Sequence, residues 1–347
     1  MKNNHADADN MILSRFRDAV SGAVGAGKKP VWFSDLDATL APARLAAGED
    51  VMGAVTDILG AGVPFVILSG ASKRNIDRQF LLPYLEFLPE KKKILLDGLL
   101  IGSDNGTQIY RYDAGGGRFD CVFSANIGDR ARPDKYGSAA GLILELMDGH
   151  EGDGGYDLRA VLEQEIGMKF KDDEEWKDFK AGCIEERKTG GTGDVTQVTV
   201  AVIRRAGSGG IEEDDNPAYS TKVRYDLVKF FNRCFNSREI DMEARASGLS
   251  SIDITRKGVD KGSAMRAVCG LMGRERTLAI FSGNMFRPGD NDEPALKDAD
   301  IVINVGMIAD IERSGYFKRG TEVFQLPDSG PEGFRQFCGT FVKAIES

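Results

Sequence analysis

Histidine is nearly missing from this chain: its 347 residues include two, His5 and His150. That argues against a Ser-His-Asp triad and against a zinc site of several histidines. The cysteines, Cys121, Cys183, Cys234, Cys269 and Cys338, are far apart, odd in number and without a CxxC pair. Neither a disulfide framework nor a cysteine zinc site fits that spacing, so free buried thiols are expected. No apolar run approaches the roughly 18 residues a membrane-crossing helix needs. The polar start, Met1–Asn10, lacks the apolar centre of a signal peptide, so the chain reads as soluble and cytoplasmic, without a membrane partner. Positive charge is not in excess either. A net charge of -9 makes nucleic acid a poor partner, because that affinity comes largely from Lys and Arg on phosphates. Any chemistry must then rest on carboxylates, hydroxyls and lysine.

What is present is ordinary globular material, 41% hydrophobic and 29% charged, on a chain long enough for roughly two domains. The organising stretch is Val31-Trp32-Phe33-Ser34-Asp35-Leu36-Asp37-Ala38-Thr39-Leu40. A short apolar run ending in polar residues reads as a buried parallel strand that delivers its last side chains to a site. Residues i and i+2 of an extended chain point to one side, so Asp35 and Asp37 could face one ligand. Crowded carboxylates repel unless a cation or a shared proton relieves them, which favours a divalent metal with oxygen ligands, most simply Mg2+.

Along the chain, residues 10–24 carry apolar residues at helical spacing. Gly22–Lys29 nearly matches the phosphate-binding pattern GxxxxGK[ST], but Lys29 replaces the hydroxyl residue and the stretch ends a helix rather than opening one. It reads as a helix-ending linker. A helix near 49–60 precedes a second buried strand, Val63–Leu68, which ends in Ser69-Gly70. Residues 73–82 read as a helix, and Ile94–Asp97, Leu99–Gly102 and Thr107–Tyr112 as strands. From about 113 to 246 the composition turns to glycine and charge, with a helix at 156–167, a strand at 195–204 and a helix at 218–235. The acidic run Asp172–Glu175 reads as a solvated helix start. The parallel pattern is expected to resume at Ile252-Asp253-Ile254. A helix follows Lys261, strands lie at 277–281 and 301–305, and a closing helix spans 332–345. The expected architecture is α/β: a Rossmann-like three-layer core with a parallel sheet, plus an inserted α+β cap. The expected boundaries are an N-terminal helix packed on or next to the core (1–27), a core of 28–112 and 247–347, and a cap of 113–246.

Four features in order carry suggestive residues: Asp35 with Asp37, Ser69 with Gly70, Lys261 in Gly258-Val259-Asp260-Lys261-Gly262, and the loop Gly283–Asp292. Together they suit phosphoryl transfer, which needs a nucleophile, neutralisation of phosphoryl charge and a metal. Their order and wording resemble the haloacid dehalogenase superfamily. Asp35-Leu36-Asp37-Ala38-Thr39 is similar to its first motif, DxDGT, with Ala38 in the glycine place. The long insert, and Asp104-Asn105-Gly106 before it, resemble the type-two-capped branch of sugar phosphatases, phosphomannomutases and Cof-like phosphatases. The resemblance covers about residues 30–310.

That resemblance implies a Mg2+-dependent phosphatase for a small phosphorylated metabolite, a sugar phosphate being the expected substrate. It makes Asp35 the nucleophile and Asp37 the acid and base. It gives Ser69, Gly70 and Lys261 to the phosphate. It gives the metal to Asp35, Asp37 and the fourth motif, where Asp292, Asn284 and Asp290 compete. Asn284 stands where the family has its aspartate, which removes a charge. Arg204 and Arg205 could meet a second anionic group. The alternatives are a phosphomutase of phosphomannomutase type and a non-catalytic phosphosugar-binding protein. A monomer or homodimer is expected.

Overall fold

Six strands build a parallel array; the inner ones carry apolar runs of Val, Ile, Leu and Phe because both of their faces are covered, while the edge strand Glu322–Gln325 is half exposed. In β1 (Lys29–Ser34), Trp32 faces one layer while Val31 and Phe33 face the other. The computed structural model describes residues 2–127, 138–148, 157–166, 169–189, 193–201, 217–248, 251–273, 276–306, 320–325 and 329–346. The chain divides into two units, Met1–Phe123 with Asp260–Ser347, and Ser124–Val259.

The first unit carries an eight-stranded sheet of order β12-β11-β10-β1-β2-β3-β4-β5. Its remaining strands are β2 (Phe65–Leu68), β3 (Leu99–Ser103), β4 (Gln108–Asp113), β5 (Arg118–Ser124), β10 (Thr277–Gly283), β11 (Ile301–Asn304) and β12 (Glu322–Gln325). From β12 to β3 every pair is parallel, and β4 runs antiparallel to β3. One layer holds the helices Lys2–Gly25, Glu49–Gly60 and Gly330–Glu346 against Trp32, Phe65, Ile67 and Ile280. Phe16 of the first helix meets Trp32, Phe324 and Phe337 edge-on at 5.0–6.4 Å. The other layer packs the helix Lys261–Leu271 and the 3-10 turn Glu293–Lys297 against Phe33, Val66, Leu68 and Phe281. Three layers around a parallel core follow.

The second unit holds a four-stranded antiparallel sheet, β6 (Ile184–Lys188), β7 (Val195–Ala201), β9 (Ser251–Arg256) and β8 (Met242–Ser247), in that order. Its apolar face (Val198, Val200, Ala244, Ile252, Ile254) packs with the helices Ala139–Met147 and Pro217–Ser237. Asp172 caps the helix Asp173–Cys183 by accepting the Glu175 N–H, so the acidic run is a helix start.

Two expectations are corrected. Ile252–Ile254 does not resume the parallel core: it lies in β9, antiparallel to β7 and β8, and the core returns only near Lys261. Ile252 and Ile254 alternate with Asp253, the period of a sheet with one apolar face. Ile94–Asp97 is no strand but part of the 3-10 helix Glu90–Gly98, since Ile94 and Leu95 do not enter a sheet. The free thiols are buried as expected except Cys121, which is exposed in β5. Among the described residues, no helix is long and apolar enough to cross a membrane. Arg204, Arg205 and His150 lie outside the described residues.

Candidate active site

The carboxyl ends of β1, β2 and β10 place Asp35, Ser69 and Asn284 just beyond the sheet, where ligands of open α/β folds bind. Lys261 reaches them from another element. It opens the helix Lys261–Leu271, whose start is fixed by a capping box: Asp260 Oδ1 accepts the Ser263 N–H at 2.7 Å, and Ser263 Oγ accepts the Asp260 N–H at 2.9 Å. Lys261 is wholly buried, and its Nζ donates to Asp35 Oδ1 and to Asp292 Oδ1, both at 2.6 Å. Asp292 Oδ2 in turn accepts the N–H of Asn284 (3.1 Å) and of Met285 (2.9 Å). Gly283 makes that possible, since a Cβ there would lie 2.8 Å from Asp292 Oδ2.

Two buried carboxylates around one ammonium leave one negative charge uncompensated. Burial pushes the Asp35 carboxyl from 3.8 up to about 7; Lys261 opposes the rise and Asp292 adds to it. Burial pulls the Lys261 ammonium down, but Asp292 and Asp35 outweigh it and hold the group above its ordinary range. The sign for stability follows. Between 3.8 and about 7 the unfolded chain has already lost the Asp35 proton while the folded one keeps it, so stability falls as pH rises through that window. With chelator present, the melting temperature of wild type relative to Asp35→Asn is therefore expected to fall from pH 4 to pH 7. A difference that stays level would contradict the assignment.

Asp37 is half-buried, and its Oδ1 accepts the Arg44 N–H and the Gln79 Nε2–H, each at 2.9 Å. Ser69 is buried, its Oγ accepting the Ala71 N–H at 3.0 Å; Gly70 beside it is buried too. Asp290 is buried and its Oδ2 accepts the Arg287 N–H at 2.9 Å, which folds the loop on itself. The geometry thus joins Asp35, Lys261 and Asp292 directly, while Asp37, Ser69 and Asp290 are held by their own surroundings. Lys28, the lysine of the Gly22–Lys29 stretch, is paired with Asp300 at 3.7 Å and follows the left-handed Gly27 (φ 83°), as a helix-ending linker would.

Ala38 has φ 57°, a left-handed conformation that costs an L residue about 1–2 kcal/mol. A glycine would take it freely. Ala38→Gly is expected to stabilise the protein by about 1 kcal/mol, offset in part by unfolded-chain entropy, in a urea titration. A destabilised variant would contradict the strain.

Several supporting groups have no motif to announce them. Trp32 Nε1 donates to Ser282 Oγ (3.1 Å), Ser282 Oγ to Ser34 Oγ (2.8 Å), and Ser34 Oγ to the Asp35 carbonyl (2.9 Å). The Asp35 N–H donates to the Ser282 carbonyl at 2.8 Å, so the backbone of Asp35 is held at both ends. Ser34, Ser282 and Gln79 are ordinary residues in sequence; only three-dimensional proximity reveals them.

The donor set suits a hard, oxygen-seeking cation. The amide oxygen of Asn284 is buried without a hydrogen-bond partner among the described residues. Asp35 Oδ2 is not used by Lys261, which takes Oδ1. Among the described residues no cluster of three or more His, Cys, Asp or Glu side chains could hold a metal. Neutral oxygens would have to complete a ligand set, which magnesium accepts.

No protein-family model matches the chain, and no curated protein sequence matches it. Solved structures do. An N-terminally truncated IMP-nucleotidase of Plasmodium falciparum is 12% identical, with TM-score 0.55 over 93% of this chain and 72% of its own. The same protein with IMP bound is 10% identical, with TM-score 0.55 over 94% and 71%. A haloacid dehalogenase-like hydrolase of Bacteroides thetaiotaomicron is 14% identical, with TM-score 0.48 over 92% and 99%. The chain shares its fold with the IMP-nucleotidase structures.

Proposed function

We propose that the protein is a Mg2+-dependent phosphatase acting on a small phosphorylated metabolite through an aspartyl-phosphate on Asp35. The observation that carries this is the buried trio Asp35–Lys261–Asp292, with Lys261 Nζ 2.6 Å from both carboxylates. A structural ion pair would not need an excess carboxylate at a strand end beside a second, half-buried one.

Asp35 attacks phosphorus in line; the new Asp35 O–P bond forms as the P–O bond to the substrate's alcohol breaks. The Asp37 carboxyl gives its proton to the leaving oxygen. Water then attacks the aspartyl-phosphate, Asp37 takes its proton, and Asp35 is released with inorganic phosphate. Ser69 Oγ donates to a phosphoryl oxygen, Gly70 lets the chain pass close to it, and Lys261 offsets its charge. Asp35, the Asp37 carbonyl and Asn284 Oδ1 would hold Mg2+, which when bound supplies charge neutralisation and orientation. Asp292 serves as the partner of Lys261 and anchor of the loop, and Asp290 shapes that loop. We place the protein in the cytoplasm.

The expected substrate is a sugar phosphate. A nucleoside monophosphate is the second reading, favoured by the fold shared with a nucleotidase that binds IMP. Phosphate release from sugar phosphates, IMP and other nucleoside monophosphates, with Mg2+ and with chelator, tests the proposal. Metal-dependent release from one class supports it. Conversion of a sugar 1-phosphate to a 6-phosphate without inorganic phosphate would instead make it a mutase, and no turnover of any ester a binding protein.

Asn284 contributes an oxygen without a charge. Asn284→Asp is expected to tighten Mg2+ binding at least ~10-fold by calorimetry, about 1.4 kcal/mol of added attraction. Unchanged affinity would remove Asn284 from the ligand set.

A further inference from the structure

Three consecutive residues after β3 take left-handed backbone conformations: Asp104 (φ 50°), Asn105 (φ 59°) and Gly106 (φ 85°). Two of them carry a Cβ, so the surroundings must enforce the turn. Asp104 and Asn105 are only 2% and 3% exposed. Asp104 Oδ2 accepts the Gln108 Nε2–H at 2.8 Å and the Ser103 Oγ–H at 3.3 Å, and the Tyr110 hydroxyl donates to Gln108 Oε1 at 2.7 Å.

The turn touches two parts of the candidate site. On one side the Asn105 N–H donates to the Ser69 carbonyl (2.8 Å) and the Asp104 N–H to the Ala71 carbonyl (3.0 Å), while the Ser69 N–H donates to the Gly102 carbonyl (2.9 Å). Ser69 is thus gripped through both its backbone groups. On the other side Gly106 lies against the start of the lysine helix: a Cβ on it would sit 2.4 Å from Ala264 Cβ and 3.2 Å from the Asp260 carbonyl oxygen. Asp260 caps that helix, and Lys261 is its first residue.

We infer that Asp104-Asn105-Gly106 is a positioning turn that sets the spacing between Ser69 and Lys261, and so the width of the phosphoryl cradle. It rests on the phosphate-binding roles proposed above for those two residues. The turn touches no substrate. It acts by fixing, through hydrogen bonds on one side and close packing on the other, two groups that must meet one phosphoryl group together. Strain held by a buried network suits that task, because a relaxed turn would let the two sides drift apart.

The test is Gly106→Ala, read by calorimetric binding of inorganic phosphate to the Mg2+-loaded protein. A Cβ at Gly106 pushes the helix start away from the Ser69 loop, and phosphate affinity is expected to fall at least ~10-fold in folded protein, the change that about 1.4 kcal/mol brings. Gly106→Ala/Ala264→Gly removes the colliding methyl and is expected to recover most of that loss. A purely structural glycine would lower the melting temperature and leave the Kd of the folded protein unchanged. Should Gly106→Ala not fold, Ala264→Val presses the same contact from the helix side, and the same weakening is expected. Equal phosphate affinity in wild type and in the folded variants overturns the turn's role, and so does a double variant that folds without recovery. Absence of phosphate binding by wild type overturns the proposed site, a different failure and visible as such.

Discussion

Asp35→Asn is expected to lower phosphate release by at least ~10^4-fold, the scale on which removal of a covalent nucleophile is felt. The amide is isosteric, so Lys261 keeps an oxygen partner and the fold should persist. What is lost is the nucleophilic oxygen anion and one ligand charge. Loss of charge alone would weaken Mg2+ binding and be recovered by saturating metal. Loss of the nucleophile would not be recovered. The check is kcat at rising Mg2+: a variant that regains more than a tenth of wild-type turnover would remove Asp35 as the attacking group.

Lys261→Met is the second large effect, and it falls on stability and activity together. Methionine has a similar length but no charge, so Asp35 and Asp292 would face each other in a buried space. Removing one partner from a buried ion cluster costs about 3–5 kcal/mol, because the desolvated charges left behind are uncompensated. Urea unfolding at pH 7 should show that loss. At acid pH it should shrink, since protonating the carboxylates removes the charge that Lys261 balanced. Phosphate release should also fall in whatever protein folds, because the phosphoryl charge loses its compensation. A penalty under about 1 kcal/mol at pH 7 would show that the trio is not a coupled electrostatic unit.

Much of the core was legible in sequence because parallel strands announce themselves twice, by an unbroken apolar run and by the polar residues at its end. Val31–Phe33 with Asp35, and Phe65–Leu68 with Ser69, both do so. Lys261 was legible only through its partners, since a lysine opening a helix is usually solvated, whereas this one is wholly buried. Ile94–Asp97 is ambiguous in sequence because a few apolar residues suit a 3-10 turn as well as a strand. Ile252–Ile254 is ambiguous in sequence because its apolar content suits a buried parallel strand, while its alternation with Asp253 has the period of a one-faced sheet. The fourth motif was ambiguous among Asn284, Asp290 and Asp292, since spacing does not say which way a loop folds. In the fold Asp292 meets Lys261 and the loop backbone, Asp290 meets Arg287, and the Asn284 amide oxygen has no hydrogen-bond partner among the described residues. Gln79, Ser34 and Ser282 belong to no pattern, because a supporting hydrogen bond can come from almost any polar residue that the fold brings near.

The proposed reaction passes through a covalent aspartyl-phosphate on Asp35. The most direct measurement is acid quenching of the Mg2+-loaded enzyme during turnover, followed by peptide mass analysis. One phosphoryl group is expected on the peptide holding Asp35, at that residue, and absent from Asp35→Asn. Turnover at full rate with the phosphoryl group on another residue, or with that peptide unmodified at every quench time, would contradict it.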